Sequence, residues 1–148
     1  MEEVMYSAID VAKYIIWFCK ENGYSISNLK LQKLLYFVQA QFLISTGAPA
    51  FKEEIEAWDF GPVVSKVYQY FKMWGSSEIP GFLAQNANEN IFVKDQRIMN
   101  EILEECAPCS ASFLVEVTHS QAPWQDAYQR YYNNIITKES IREYFENN

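Results

Sequence analysis

"SNLKLQKLLYFVQAQFLISTG", residues 27 to 47, decides the fold. Within it Leu31, Leu34, Leu35, Val38 and Phe42 recur at steps of three and four, which places them on one face of an α-helix. The helix runs from Ser27 to near Gly47, where glycine is the favoured stop. It is the central core helix, and the rest of the chain is read as the elements that pack around it.

Working outward, Ser7 with Asp10 three residues on reads as a capping box. The apolar run through Ile15, Ile16 and Phe18 makes this the first helix, with Gly23 as its stop. On the other side of the central helix, Ile55 to Trp58 alternate apolar and polar as a short strand does. Gly61-Pro62 then opens a helix, since proline is best tolerated in a first turn, and Val64, Val67, Tyr68, Phe71 and Trp74 form its buried stripe up to Gly75. Residues 76–93 show no helical period and read as a long loop, whose Ile91-Phe92-Val93 segment pairs with the strand at 55–58 in a two-stranded element.

Asp95 caps the next helix, with Ile98, Ile102 and Leu103 inward and Pro108 as its end. Ser110 begins another, with Phe113, Leu114 and Val117 on one face. Pro123 opens the one after, with Trp124, Ala127, Tyr128 and Tyr131 as its stripe. Thr137 caps the last, and Ile136 and Ile141 are placed to form a hydrophobic staple. The expectation is a mainly α fold: a single compact domain over residues 1–148, of about seven helices with a small two-stranded β element.

Charge and composition narrow the function classes. The 148 residues carry a net charge of -7, which repels a phosphate backbone and an anionic membrane surface alike, so neither nucleic acid nor membrane is an expected partner. The chain starts acidic where a signal peptide is basic, and its longest early apolar run, YIIWFC at 14–19, falls short of the roughly 20 residues of a membrane span. A cytoplasmic protein is expected.

Cys106-Ala-Pro-Cys109 is a C-x-x-C, but it follows a helical stretch, which puts Cys106 at a helix C-terminus where the dipole opposes a thiolate. One cysteine pair plus a solitary histidine also falls short of the four ligands of a closed zinc site. Neither a metal nor a cofactor is expected.

That histidine, His119, ends one helix just before Pro123 and Trp124 open the next. A catalytic role needs a nucleophile and an orienting group, and the nearest cysteine, Cys109, lies ten residues away, most of a helix length. A capping role needs only the carbonyls at the end of its own helix. His119 is therefore expected to cap a corner, and the chain is expected not to be an enzyme.

Three segments taken together carry a resemblance: NLKLQKLLYFVQAQFL (28–43), EAWDFGPVVSKVYQYF (56–71), and THSQAPWQDAY (118–128) with ITKESIREYF (136–145) closing the chain. In order and spacing they resemble the SocA-like antitoxin family, the Panacea domain, often met in phage and prophage proteins. Residues matching the family pattern are Leu31, Gln32, Lys33, Leu34, Tyr36, Trp58, Gly61, Pro62, Val63, Tyr68, Thr118, His119, Pro123 and Trp124. The resemblance implies a helical module that neutralises a co-encoded toxin by binding it, and that in at least one relative acts as an adaptor to a cytosolic protease. One scaffold facing many toxins implies that Trp58, Gly61, Pro62, Thr118, His119, Pro123 and Trp124 are mainly structural. An alternative on the same fold is a phage or prophage host-interaction protein without a toxin partner.

Aromatic residues make up 16% of the chain, more than the helix stripes require, and Tyr and Trp are favoured interface anchors. Tyr14, Tyr70, Phe82 and Tyr132 lie off the stripes and are the candidate partner contacts.

Overall fold

The computed structural model describes residues 5–148, so the first four residues of the acidic start lie outside the described part. At its centre is the helix expected from the opening segment, Asn28–Thr46, here α2. Ser27 caps it by accepting from the Lys30 amide, and Gly47 ends it in the left-handed conformation at φ 79°. Its burial is not confined to one face. Asn28, Lys30, Gln32, Lys33 and Gln39 are buried along with the leucines, so α2 is wrapped on all sides.

Buried polar groups must be hydrogen-bonded, and on α2 these side chains, with Tyr36, tie the surrounding segments to the helix. Lys30 Nζ donates to the carbonyls of Ser25 (2.8 Å) and Ala107 (2.5 Å). Gln39 accepts from the Ala50 amide (2.8 Å) and donates to the Phe51 carbonyl (2.8 Å), fixing the chain that leaves the helix. Tyr36 donates to Gln121 Oε1 at 2.8 Å. Gln32 takes the amide of Val64 at 2.9 Å, and Lys33 donates to the carbonyl of Pro62 at 2.8 Å.

Around α2 pack α1 (Ala8–Glu21), α3 (Ser65–Phe71), α4 (Val93–Cys106), α5 (Ala111–His119), α6 (Ala122–Ala127) and α7 (Lys138–Glu146). The helix starts read from the sequence hold where the cap is local: Ser7 accepts from Asp10 N, Ser110 from Phe113 N, and Thr137 from Ser140 N. Asp95 is different. It sits inside the first turn of α4, whose N-cap is Phe92, and its buried carboxylate accepts from the Tyr6 hydroxyl.

The β element is larger and differently wired than expected. Three short strands, β1 (Ile55–Trp58), β2 (Gly61–Val63) and β3 (Ile135–Ile136), form an antiparallel sheet in the order β2-β1-β3. Gly61-Pro62 therefore belongs to a strand and does not open a helix; α3 begins at Ser65. Proline fits because β2 is an edge strand, where its missing N–H breaks no ladder. Ile91-Phe92-Val93 makes no strand, since Val93 already starts α4. Residues 76–92 are a loop shaped by two 3-10 turns, Gly81–Ala84 and Ala87–Asn90, and anchored by buried Ile79, Ala84, Ala87 and Ile91.

Two residues placed on buried stripes lie outside: Phe113 is exposed on α5, and Tyr131 is exposed because α6 has already stopped at Ala127. No helix among the described residues is long and apolar enough to cross a membrane.

Candidate functional site

The β1–β2 hairpin turns at Asp59-Phe60, and two independent sets of side chains hold it. From beneath, α2 supplies Gln32 and Lys33. Gly61 stands at φ 107°, and a Cβ there would meet Lys33 Cε and Thr118 Oγ1, each at 2.8 Å. Only glycine lets the strand pass this close to α2 and α5. Among the described residues no carboxylate pairs with buried Lys33, and burial lowers its ammonium from the usual range to about 7.

From the side, the α5–α6 corner grips the turn. His119 does not bind the last carbonyls of its own helix, as the sequence suggested. Its Nε2 lies 2.9 Å from the carbonyl oxygen of Asp59, and because a carbonyl only accepts, Nε2 carries the proton. Trp124 stacks between His119 and Tyr128, with ring centroids at 4.2 and 4.5 Å, and donates its indole N–H to the Trp58 carbonyl at 2.8 Å. Tyr128 donates to Asp59 Oδ1, and this bond raises the phenol above its ordinary value. Pro123 is buried in the first turn of α6.

Trp58, Gly61, Pro62, Thr118, His119 and Trp124 thus meet at one place, although the sequence separates them into two groups about sixty residues apart. The shared outcome is a fixed hairpin.

In front of the hairpin lies an open cleft of about 510 Å³, between Asn28, Leu29 and Gln32 of α2, the β1–β2 turn, Tyr68 and the loop at Tyr131 to Asn133. Trp58 and Tyr68 meet edge to face at 5.0 Å in its wall. Phe60, Tyr131 and Tyr132 are exposed by 66%, 87% and 58%. Of the four candidate contacts, Tyr132 alone lines this cleft.

Tyr70 and Phe82 are exposed elsewhere, and Tyr14 must be withdrawn: it is fully buried, its hydroxyl donates to Asn100 Oδ1 at 2.6 Å, and burial pushes its phenol up to about 12. Phe60 and Asp59 were missed because Asp-Phe is not one of the dipeptides that mark a two-residue hairpin turn. Tyr131 was missed as a surface residue because it sits at helical spacing from Trp124, Ala127 and Tyr128.

Cys106 is the last residue of α4, and burial, with Cys109 and Glu105 adding to it, pushes its thiol up to about 12. That is opposite to the direction a reactive thiolate requires. Among the described residues, no three His, Cys, Asp or Glu side chains gather as a metal site would need.

These features define a mainly α module in which one buried helix and a helix corner together position a small hairpin. The chain belongs to the SocA-like antitoxin family, Panacea domain, whose model matches residues 31–125. The closing segment 136–145, read as part of the resemblance, lies outside that match, as do Tyr131 and Tyr132. The chain is 39% identical over 113 residues to Antitoxin SocA of Caulobacter vibrioides (strain NA1000 / CB15N), an alignment covering 67% of this chain and 58% of that relative. It therefore spans somewhat over half the length of that protein. No solved structure matches it significantly.

Proposed function

We propose that this chain is an antitoxin, acting in the cytoplasm, that neutralises a co-encoded toxin by binding it directly and without catalysing a reaction. The observation that carries the reading is its 39% identity with Antitoxin SocA, within a family match that spans the central helix, the hairpin and the α5–α6 corner. The geometry is consistent with a binder. The groups most often recruited for catalysis are engaged in structure: the imidazole holds a backbone carbonyl, and the buried lysine holds another. What the hairpin presents outward is aromatic surface, the composition that interface anchors favour.

The test is co-expression with each neighbouring reading frame while growth is scored. A neighbour that arrests growth alone and is relieved by this chain is the expected result. Toxin half-life during relief decides the finer question: shortening marks delivery to a cytosolic protease, and no change marks steric blocking. The absence of any toxic neighbour would favour a host-interaction protein on the same fold.

A further inference from the structure

We propose that the cleft between the β1–β2 turn and the Gln129–Tyr132 turn is the surface that grips the toxin, and that it receives an apolar-flanked lysine or arginine side chain of that partner. The inference rests on the antitoxin reading above and specifies where and by what chemistry binding occurs.

The first observation is Tyr131. The amide of Tyr132 closes a turn on the carbonyl of Gln129 at 3.0 Å, and Tyr131 within that turn stands at φ 72°. Glycine takes this conformation freely, whereas a side chain there costs on the order of 1 kcal/mol. In the core such a cost is offset by burial, but this ring is 87% exposed. The residue works against the fold and gains almost no burial from it, which points to a use outside the fold. Phe60, at the tip of the opposite turn, and Tyr132 are exposed too, and all three line the same cleft.

The second observation is charge. Among the described residues Asp59 is the sole charged one in the cleft lining, and five of the other twelve carry aromatic rings, whose faces attract cations. One such face already takes a guanidinium: Arg130 lies 5.0 Å from the centroid of Tyr131, so an incoming cation takes the opposite face of that exposed ring, away from Arg130. Asp59 is oriented through Oδ1 by Tyr128, and among the described residues no group donates to Oδ2. A carboxylate with one free oxygen beside aromatic faces is complementary to an ammonium or guanidinium carried on an apolar stem. The net charge of -7 steers the same class of partner.

The experiment titrates the full chain with a capped Leu-Arg-Leu-Arg-Leu peptide and its Leu-Glu-Leu-Glu-Leu counterpart, following backbone amide signals by NMR. The arginine peptide is expected to shift residues 59–60 and 131–133. Tyr131→Gly and Asp59→Asn are each expected to weaken it by about fivefold. Both variants are expected to fold: glycine suits the backbone at 131, and asparagine still accepts from Tyr128. Melting temperatures at or above that of wild type for Tyr131→Gly check this.

Equal binding of the glutamate peptide, shifts confined to another surface, wild-type affinity in both variants, or a chain dimer that occupies the cleft would each overturn the assignment. Growth rescue separates the two proposals. Rescue that is equal for wild type, Tyr131→Gly and Asp59→Asn overturns the cleft and keeps the antitoxin. Failure of wild type to rescue, with the peptide results as expected, overturns the antitoxin and keeps the preference for a basic segment.

Discussion

His119 Nε2 donates to the carbonyl of Asp59 at 2.9 Å, joining a helix end to a hairpin turn sixty residues away. The far ring nitrogen makes this bond, so glutamine, whose amide nitrogen reaches equally far, is the conservative replacement. All three replacements lose the ring stacking on Trp124, so His119→Gln is expected to melt closest to wild type, while His119→Asn and His119→Ala each lose about 1 kcal/mol more for the bond. Denaturant midpoints of the three variants check the order. Asparagine performing as well as glutamine would return His119 to the carbonyls of its own helix.

Gly61→Ala is expected to cost about 2 to 4 kcal/mol, because it combines backbone strain with collisions against Lys33 and Thr118. Gly23→Ala supplies the comparison: its φ is 74° and nothing lies within 4 Å, so strain alone, about 1 kcal/mol, is expected. Equal losses in urea melts would mean that the close approach of β2 to α2 is not a constraint.

Those glycines also show what is legible in a sequence. Ser7, Ser27, Ser110 and Thr137 were readable as caps because a cap is satisfied within three residues of itself. Gly61-Pro62 was misread because the same dipeptide suits a helix start or an edge strand, and the choice is made by Lys33 and Thr118, which are distant in the chain. β3 is two residues long and has no period to detect. The cleft was invisible for a related reason: its walls come from α2, the hairpin, α3 and the loop after α6, and no one segment carries its pattern.

Stability is expected to rise between about pH 7 and 8.5. Burial lowers the Lys33 pKa in the folded state to about 7, below its unfolded value, so over this window the unfolded chain binds more protons and folding strengthens as pH increases. Below the folded pKa the penalty of burying the charge is present in full. Cys19 and Cys106 work in the opposite sense, since burial raises them to about 11 and 12, but their effect begins only near their unfolded pKa, about 8.5 to 9. Lys33→Met should flatten the rise in urea-derived stability from pH 7 to 8.5; an unchanged slope would place its origin elsewhere.

Gln39→Leu is expected to destabilise by about 3 kcal/mol, because it strands the Ala50 amide and the Phe51 carbonyl in the interior. Half-buried Gln41→Leu, two residues on, breaks only solvent-exposed hydrogen bonds and should change little. Thermal melts of the pair check this, and similar melting temperatures would show that the 50–51 segment finds other partners.

The most direct test of the account is calorimetric titration of the purified chain with the neighbouring gene product that arrests growth. Direct neutralisation predicts saturable binding at a fixed stoichiometry, with affinity reduced in Tyr131→Gly although that variant melts no lower than wild type. Growth relief by a chain that shows no binding to the purified toxin would contradict it.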